Sequence, residues 1–201
     1  LVWENKMISQ KKSLRKKANK TSILRSKTLI CVIENPKNIS NLMGIIRSAE
    51  ALAVGKIYLI NNKLKLPDDW NEMRSNSKFL KLSASGIKWI FVKQFSSTTE
   101  CLQHLTKKNF INVGTSSHIQ KKKSVALFEG KYTQSHLAIW FGNETIGLSK
   151  EAFDACDFII KIPMYGIIES MNLNSSASIV LQHIVEKRQE YSQKKIAKKL
   201  K

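Results

Sequence analysis

Residues 161–177 read KIPMYGIIESMNLNSSA, and the role given to this stretch governs how every other segment is interpreted. An apolar, β-branched run (Phe158, Ile159, Ile160, Ile162) leads into it and breaks at Pro163. The chain then crosses Gly166 and carries Ser170, Asn172, Asn174, Ser175 and Ser176 just ahead of a long apolar periodic segment. An apolar strand that delivers a polar loop to a helix start is how α/β domains build ligand crevices. Alone, the same residues also read as a Ser/Asn-rich helix cap. The functional reading gains weight only because two upstream stretches repeat the design.

Upstream, TLICVIE (28–34) has the composition of a buried strand, followed by a turn at Pro36. In NISNLMGIIRSAEALAVG, Leu42, Ile45, Ile46, Ala49 and Leu52 recur at helical spacing. Ser40 or Asn41 is the expected cap and Gly55 the expected stop. KIYLI (56–60), WIFV (89–92), FINVGT (110–115), LAIWFG (137–142) and FIIKIP (158–163) read as further strands. Between them, 71–82 reads as a weak helix, 96–108 as an amphipathic helix and 150–156 as a short one, and a last helix begins near Ser175. Strands alternating with helices predict an α/β fold: a mostly parallel sheet with helices on both faces.

Composition bounds the function. The 201 residues suffice for one domain plus appendages, and 42% apolar content excludes a disordered chain. No run of about 18 apolar residues exists, so no membrane span is expected. No apolar core follows the N-terminal basic residues, so no signal peptide is expected either. Cys31, Cys101 and Cys156 are scattered and odd in number, which fits a reducing cytoplasm better than a disulfide framework. The four histidines lack ligand spacing, so no metal is expected. A net charge of +19 is the strongest compositional signal, and its clustering favours a nucleic-acid partner over general solubility. Residues 1–20 hold seven Lys/Arg, including Arg15, Lys16 and Lys17, against the single acid Glu4. Lys121–Lys123 reads as an exposed basic loop, and the C-terminus, with Lys194 and Lys195, is again lysine-rich.

Arg47 falls among apolar helix positions, where a guanidinium must snorkel, pair with Glu50 three residues on, or grip a phosphate with paired donors. LAIWFGNETIGLS carries G-x-x-x-x-G, but Leu148 stands where a phosphate-cradling loop requires lysine, so a nucleoside-triphosphatase is excluded. No G-x-G-x-x-G follows any strand. What remains is a strand ending in Gly142, where a ligand can approach bare backbone, with a carboxylate at Glu144.

Three motifs occur together and in order: N-x-x-N-x-x-x-I-x-R-S-A-E-A (38–51), G-N-E-x-x-G-L-S (142–149) and I-P-M-x-G-x-x-x-S-M-N (162–172). In these motifs the chain resembles the TrmH/SpoU family of RNA 2′-O-ribose methyltransferases, of the SPOUT class, over residues 28–190. The resemblance implies a deep C-terminal trefoil knot that holds S-adenosylmethionine against Thr115, Gly142, Ile162 and Met171. It implies a homodimer whose two subunits complete each site. It implies catalytic roles for Arg47, Asn41, Glu144, Ser170 and Asn172, with Arg47 fixing the substrate phosphate. It also implies a basic extension at 1–27 and a basic tail at 191–201. Arg188 matches a position usually basic in relatives, whereas Glu186 replaces an arginine, and Asn174–Ser176 depart from the usual S-V-A. RNA contacts are therefore expected from Arg15, Lys16, Lys17, Arg188, Lys194 and Lys195. The paired terminal extensions resemble most the branch that acts on guanosine 18 in the transfer-RNA D-loop. A ribosomal-RNA 2′-O-methyltransferase and a non-catalytic RNA-binding protein are the competing readings.

Overall fold

In a computed structural model, which describes residues 13, 16–19, 21–117 and 124–199, seven parallel strands form one sheet in the order β3-β2-β1-β6-β4-β7-β5. The strands are β1 (Ser26–Glu34), β2 (Val54–Ile60), β3 (Phe91–Phe95), β4 (Ile111–Thr115), β5 (Ser124–Ala126), β6 (Leu137–Phe141) and β7 (Phe158–Lys161). The helices are α1 (Ile39–Ala51), α2 (Trp70–Ser75), α3 (Ser77–Leu82), α4 (Thr98–Lys107), α5 (Lys150–Ala155) and α6 (Leu173–Lys199). Upstream of β1, residues 16–19 and 21–24 are also helical.

Strand alternation divides the core in two. Leu29, Cys31 and Ile33 of β1 face a core shared with Leu42, Ile45 and Ile46 of α1 and Val180, Leu181 and Ile184 of α6. Ile30 and Val32 face the opposite core, built with Cys101 and Leu105 of α4 and Ala152 of α5. The expected α/β sheet covered on both faces is what forms.

Several local expectations are corrected. Asn38, not Ser40 or Asn41, caps α1: its backbone is extended (φ −118°, ψ 122°) and its side chain accepts from the Ser40 amide at 2.7 Å. Asn41 is thereby left free for other bonds. The helix read over 71–82 is two, because Asn76 leaves helical geometry (φ −63°, ψ 121°), ends α2 and caps α3 through Lys78 N and Phe79 N. Strand β3 starts two residues later than WIFV, after left-handed Ala84 and Ser85 and a short 3-10 turn over 86–88. The three-residue β5 has too little pattern to be read from sequence. The last helix begins at Leu173, two residues before Ser175.

Gly55 does not stop α1. The helix ends at Ala51, Ala53 takes the left-handed turn (φ 53°), and Gly55 lies inside β2. A Cβ there would stand 2.3 Å from the Ser26 carbonyl oxygen and 2.8 Å from that of Leu29, so the glycine allows β1 to approach at its irregular start. Gly55→Ala is expected to destabilise the chain by about 2 kcal/mol through overpacking against backbone, read as a lower urea midpoint with an unchanged denaturant slope.

Candidate functional site

The segments that follow β1, β4, β6 and β7 meet at the carboxyl ends of those strands, around a cavity of about 620 Å³. Parallel α/β sheets place their ligand crevices there. Inserting β6 between β1 and β4, and β7 between β4 and β5, brings stretches distant in sequence side by side.

The loop after β6 is a tight turn. Asn143 and Gly147 exchange backbone hydrogen bonds of 2.9 Å in both directions, and Gly147 is left-handed (φ 69°). A Cβ on Gly142 would stand 2.1 Å from the Gly147 carbonyl carbon, so only glycine fits. The nearly buried Asn143 accepts from Thr145 N at 2.9 Å, and its amide donates to the Asn35 carbonyl at 2.6 Å.

This turn aims Glu144 at the start of α1. Its carboxylate accepts from the backbone amides of Lys37 (2.7 Å) and Asn38 (3.1 Å) and from the side-chain amide of Asn41 (2.9 Å). Negative charge is favoured at a helix N-terminus, where amides lack intrahelical acceptors. Burial opposes the charge, but the bonds from Asn41, Lys37 and Asn38 outweigh it and hold the carboxyl below its ordinary range.

Asn41 relays the connection. Its carbonyl oxygen accepts from the Asn172 amide at 3.0 Å, and the Asn172 carbonyl oxygen caps α6 through Asn174 N at 2.9 Å. One residue from each motif thus lies in a single chain of bonds, Glu144–Asn41–Asn172. Thr115, Gly142, Ile162, Ser170 and Met171 line the same cavity. The Thr115 hydroxyl donates to the Trp140 carbonyl at 2.8 Å, tying β4 to β6.

Other expected residues lie elsewhere. Arg47 is exposed on α1 and does not line the cavity. It forms no hydrogen bond or ion pair among the described residues, and Glu50 pairs instead with Arg25 at 3.3 Å. Arg188 is engaged within the chain: its guanidinium donates to the carbonyls of Tyr132, Gln134 and Ser135 and to the Thr28 hydroxyl (2.9 Å), tying α6 to β1 and the segment before β6. Lys16, Lys17, Lys194 and Lys195 are helical and exposed. Arg15 and the Lys121–Lys123 loop lie outside the described residues.

Sequence reading missed Glu34 and Lys37. Glu34 is only 2% exposed and accepts from the Thr98 hydroxyl (2.6 Å), the Ser149 hydroxyl (2.6 Å) and the Ser149 amide (2.8 Å). Its signal was a carboxylate ending an otherwise apolar strand. Lys37 lines the cavity, its ammonium donating to the Thr145 hydroxyl at 2.8 Å.

The cavity lining contains no histidine or cysteine among the described residues. The thiols are buried, and burial pushes Cys31 far up and Cys101 to about 12, so neither is a nucleophile. Among the described residues no cluster of potential metal ligands occurs, and no helix is long and apolar enough to cross a membrane. Amides, hydroxyls and bare backbone suit the binding and orientation of a reactive ligand more than covalent catalysis.

Comparison with known proteins agrees with this geometry. The model of the SpoU rRNA Methylase family matches residues 28–182. A tRNA (guanosine(18)-2'-O)-methyltransferase of Borreliella burgdorferi is 28% identical over 181 residues, 90% of this chain and 76% of that protein. The crystal structure of an A. aeolicus TrmH/SpoU tRNA modifying enzyme superposes with a TM-score of 0.73 at 27% identity, over 90% of this chain and 86% of its own. The SpoU methyltransferase AviRb of Streptomyces viridochromogenes, in complex with AdoMet, superposes with a TM-score of 0.68 at 25% identity, over 82% of this chain and 59% of its own.

Glu144→Gln is expected to cost about 1 kcal/mol at pH 7, because one acceptor oxygen is removed from the start of α1. The folded carboxyl titrates below its unfolded value, so its stabilisation is fully present above the unfolded value and disappears as pH falls through the folded one. The gap between wild-type and variant melting midpoints should therefore hold through neutral pH and close in acid.

Proposed function

The chain belongs to the SpoU methylase family, and we propose that it transfers a methyl group from S-adenosylmethionine to a ribose 2′-hydroxyl of RNA, at guanosine 18 of the transfer-RNA D-loop. The observation that carries the reading is the Glu144–Asn41–Asn172 chain of bonds, which joins the three motifs at one cavity.

The cavity fits the donor. Its volume of about 620 Å³ suits a cofactor of that size. The tight turn that Gly142 permits lays the backbone of residues 142–148 along the cavity wall. Thr115, Gly142, Ile162 and Met171 would hold the group, chiefly through backbone and apolar contact. S-adenosylmethionine, when bound, supplies a methyl made electrophilic by its positively charged sulfur.

Asn41 and Asn172 orient the ribose, Ser170 shapes the loop over it, and Glu144 fixes Asn41. Arg47 cannot act as a base, since its guanidinium stays protonated. It grips the substrate phosphate and stabilises the oxyanion that develops on the 2′-oxygen, the phosphate taking the proton. Six residues separate Arg47 from Asn41, about one and two-thirds helical turns, so the two side chains leave α1 in different directions. Arg47 therefore completes the site of a second subunit in a homodimer. The exposure of Tyr165 (93%), Ile167 (100%) and Ile168 (71%) between β7 and α6 supports such a pairing, because apolar clusters of this kind are covered in assemblies.

The strand order supports the trefoil knot. β7 enters between β4 and β5 after both are laid down, and the chain then crosses to α6. The methyltransferase domain, expected over 28–190, begins with β1 at Ser26, and its last helix runs on to Lys199. The expected extensions 1–27 and 191–201 contribute sequence-independent RNA affinity through Arg15, Lys16, Lys17, Lys194 and Lys195. The protein works in the cytoplasm, in keeping with scattered cysteines that form no disulfide framework.

Mapping ribose methyls on purified transfer RNA and ribosomal RNA after incubation with the protein and S-adenosylmethionine tests the reading. Methylation at guanosine 18 is expected. Modification of ribosomal RNA alone would transfer the assignment to that substrate, and RNA binding without donor binding or turnover would leave a non-catalytic RNA-binding protein. Arg47→Ala should abolish turnover while donor affinity stays within about twofold; a large loss of donor affinity would refute its phosphate role. Deleting residues 1–20 should weaken RNA binding and flatten its dependence on salt, by about 0.7–0.9 in log–log slope for each phosphate that the deletion deprives of its cation.

A further inference from the structure

At the edge of the sheet farthest from β5, cations flank a pair of aromatic rings. The Lys56 ammonium lies 5.7 Å from the centre of the Phe91 ring. The Phe91 and Trp70 rings are 5.2 Å apart, tilted by 60°. The Arg74 guanidinium lies over the other aromatic of this pair, 4.5 Å from the Trp70 ring. Arg74 and Lys88 then line an open groove of about 570 Å³ with Asn71, Ser75 and Leu80. Beside Lys88, Trp89 is 47% exposed, and Phe91, the first residue of β3, is 42% exposed. None of these residues lines the cavity that holds Asn41 and Glu144.

Ordinary folding does not account for this set. A large aromatic left this open forgoes burial, and two of them stand within three residues of each other on an edge strand and the turn before it. Lysines on an edge strand blunt unwanted strand pairing, but exposed Trp and Phe invite it. Asp68 precedes α2, Asp69 and Glu72 sit at its N-terminal cap and first turn, and Arg74 is in its last turn. Exposed rings with cations beside them are what unpaired nucleotides require: the bases stack and the phosphates meet lysine or arginine.

We propose that Trp89, Phe91 and the Arg74–Lys88 groove, with Lys56 and Trp70, form a second RNA-contacting surface that holds unpaired bases of the substrate away from the reacting ribose. The surface raises affinity for the RNA and leaves the methyl-transfer step alone. This rests on the RNA-methyltransferase reading above.

The test uses the full chain with a transfer-RNA transcript. Trp89→Ala and Phe91→Thr should each raise KM and the RNA dissociation constant about tenfold, with kcat and donor affinity within about twofold. Phe91→Tyr should restore affinity, since a ring is kept. Lys56→Gln with Lys88→Gln should lower the slope of log affinity against log salt by about 1.5. Melting midpoints identify any variant that merely unfolds. Independently of any variant, photo-cross-links from a 4-thiouridine-substituted transcript to the wild-type chain should include sites within residues 70–91. Folded variants that bind RNA as the wild type does, or cross-links confined to other segments, overturn the proposal while the methyltransferase reading stands. A wild-type chain that neither binds nor methylates RNA overturns both.

Discussion

A carboxylate seated on the first amides of α1 is the contact on which the site depends. Glu144 arrives from the loop after β6, far along the chain, and accepts from Lys37 N, Asn38 N and the Asn41 side chain. Without it the Lys37, Asn38 and Asn41 donors would lose their shared acceptor beside an open cavity, and the turn after β6 would be held only by the Asn143–Asn35 and Lys37–Thr145 bonds. Asn41 is held by this contact, and through Asn41 so is Asn172, the cap of α6. Glu34 performs the parallel service one layer deeper, joining β1 to the cap of α5 and to α4. Two acidic side chains therefore lock the loops into one arrangement, and neither is free to act as a base.

Much of this was legible in the sequence because burial on both faces of a parallel sheet leaves unbroken apolar strands. TLICVIE, KIYLI and LAIWFG could be read as strands for that reason, and the three motifs fell at the carboxyl ends of TLICVIE, LAIWFG and FIIKIP. What could not be read depended on tertiary approach. Gly55 looked like a helix stop, and only the nearness of the Ser26 carbonyl explains it. Asn38 is the cap, and Asn41 instead bridges Glu144 and Asn172, partners more than a hundred residues away in sequence. Arg188 was expected to face RNA, but the carbonyls of Tyr132, Gln134 and Ser135 converge on it from a segment whose path no local pattern announces.

The departure at Asn174 has a physical counterpart across the helix interface. Asn174 packs onto Gly44 of α1, where a Cβ would come within 2.6 Å of its amide nitrogen. One turn further along, Ser48 and Ser178 share a hydrogen bond of 2.8 Å. The larger amide is thus accommodated by the smallest residue opposite, and α1 and α6 meet through small polar groups as well as apolar ones. The Asn174 side-chain oxygen Oδ1 is buried without a donor among the described residues, a cost the pairing with Gly44 does not remove.

The arginines show how this chain separates structural cations from working ones. Arg25 donates to the Val54 carbonyl and pairs with Glu50, and Arg188 meets three carbonyls and a hydroxyl. Both are half-buried, and each has the acceptors that desolvation of a guanidinium demands. Arg47 has none among the described residues, although it stands on α1 between Ile46 and Ala49, which are buried. Glu50, the carboxylate best placed to hold it, is taken by Arg25. A guanidinium left exposed on α1, with the nearby Glu50 occupied, has the freedom that the proposed phosphate-gripping role requires.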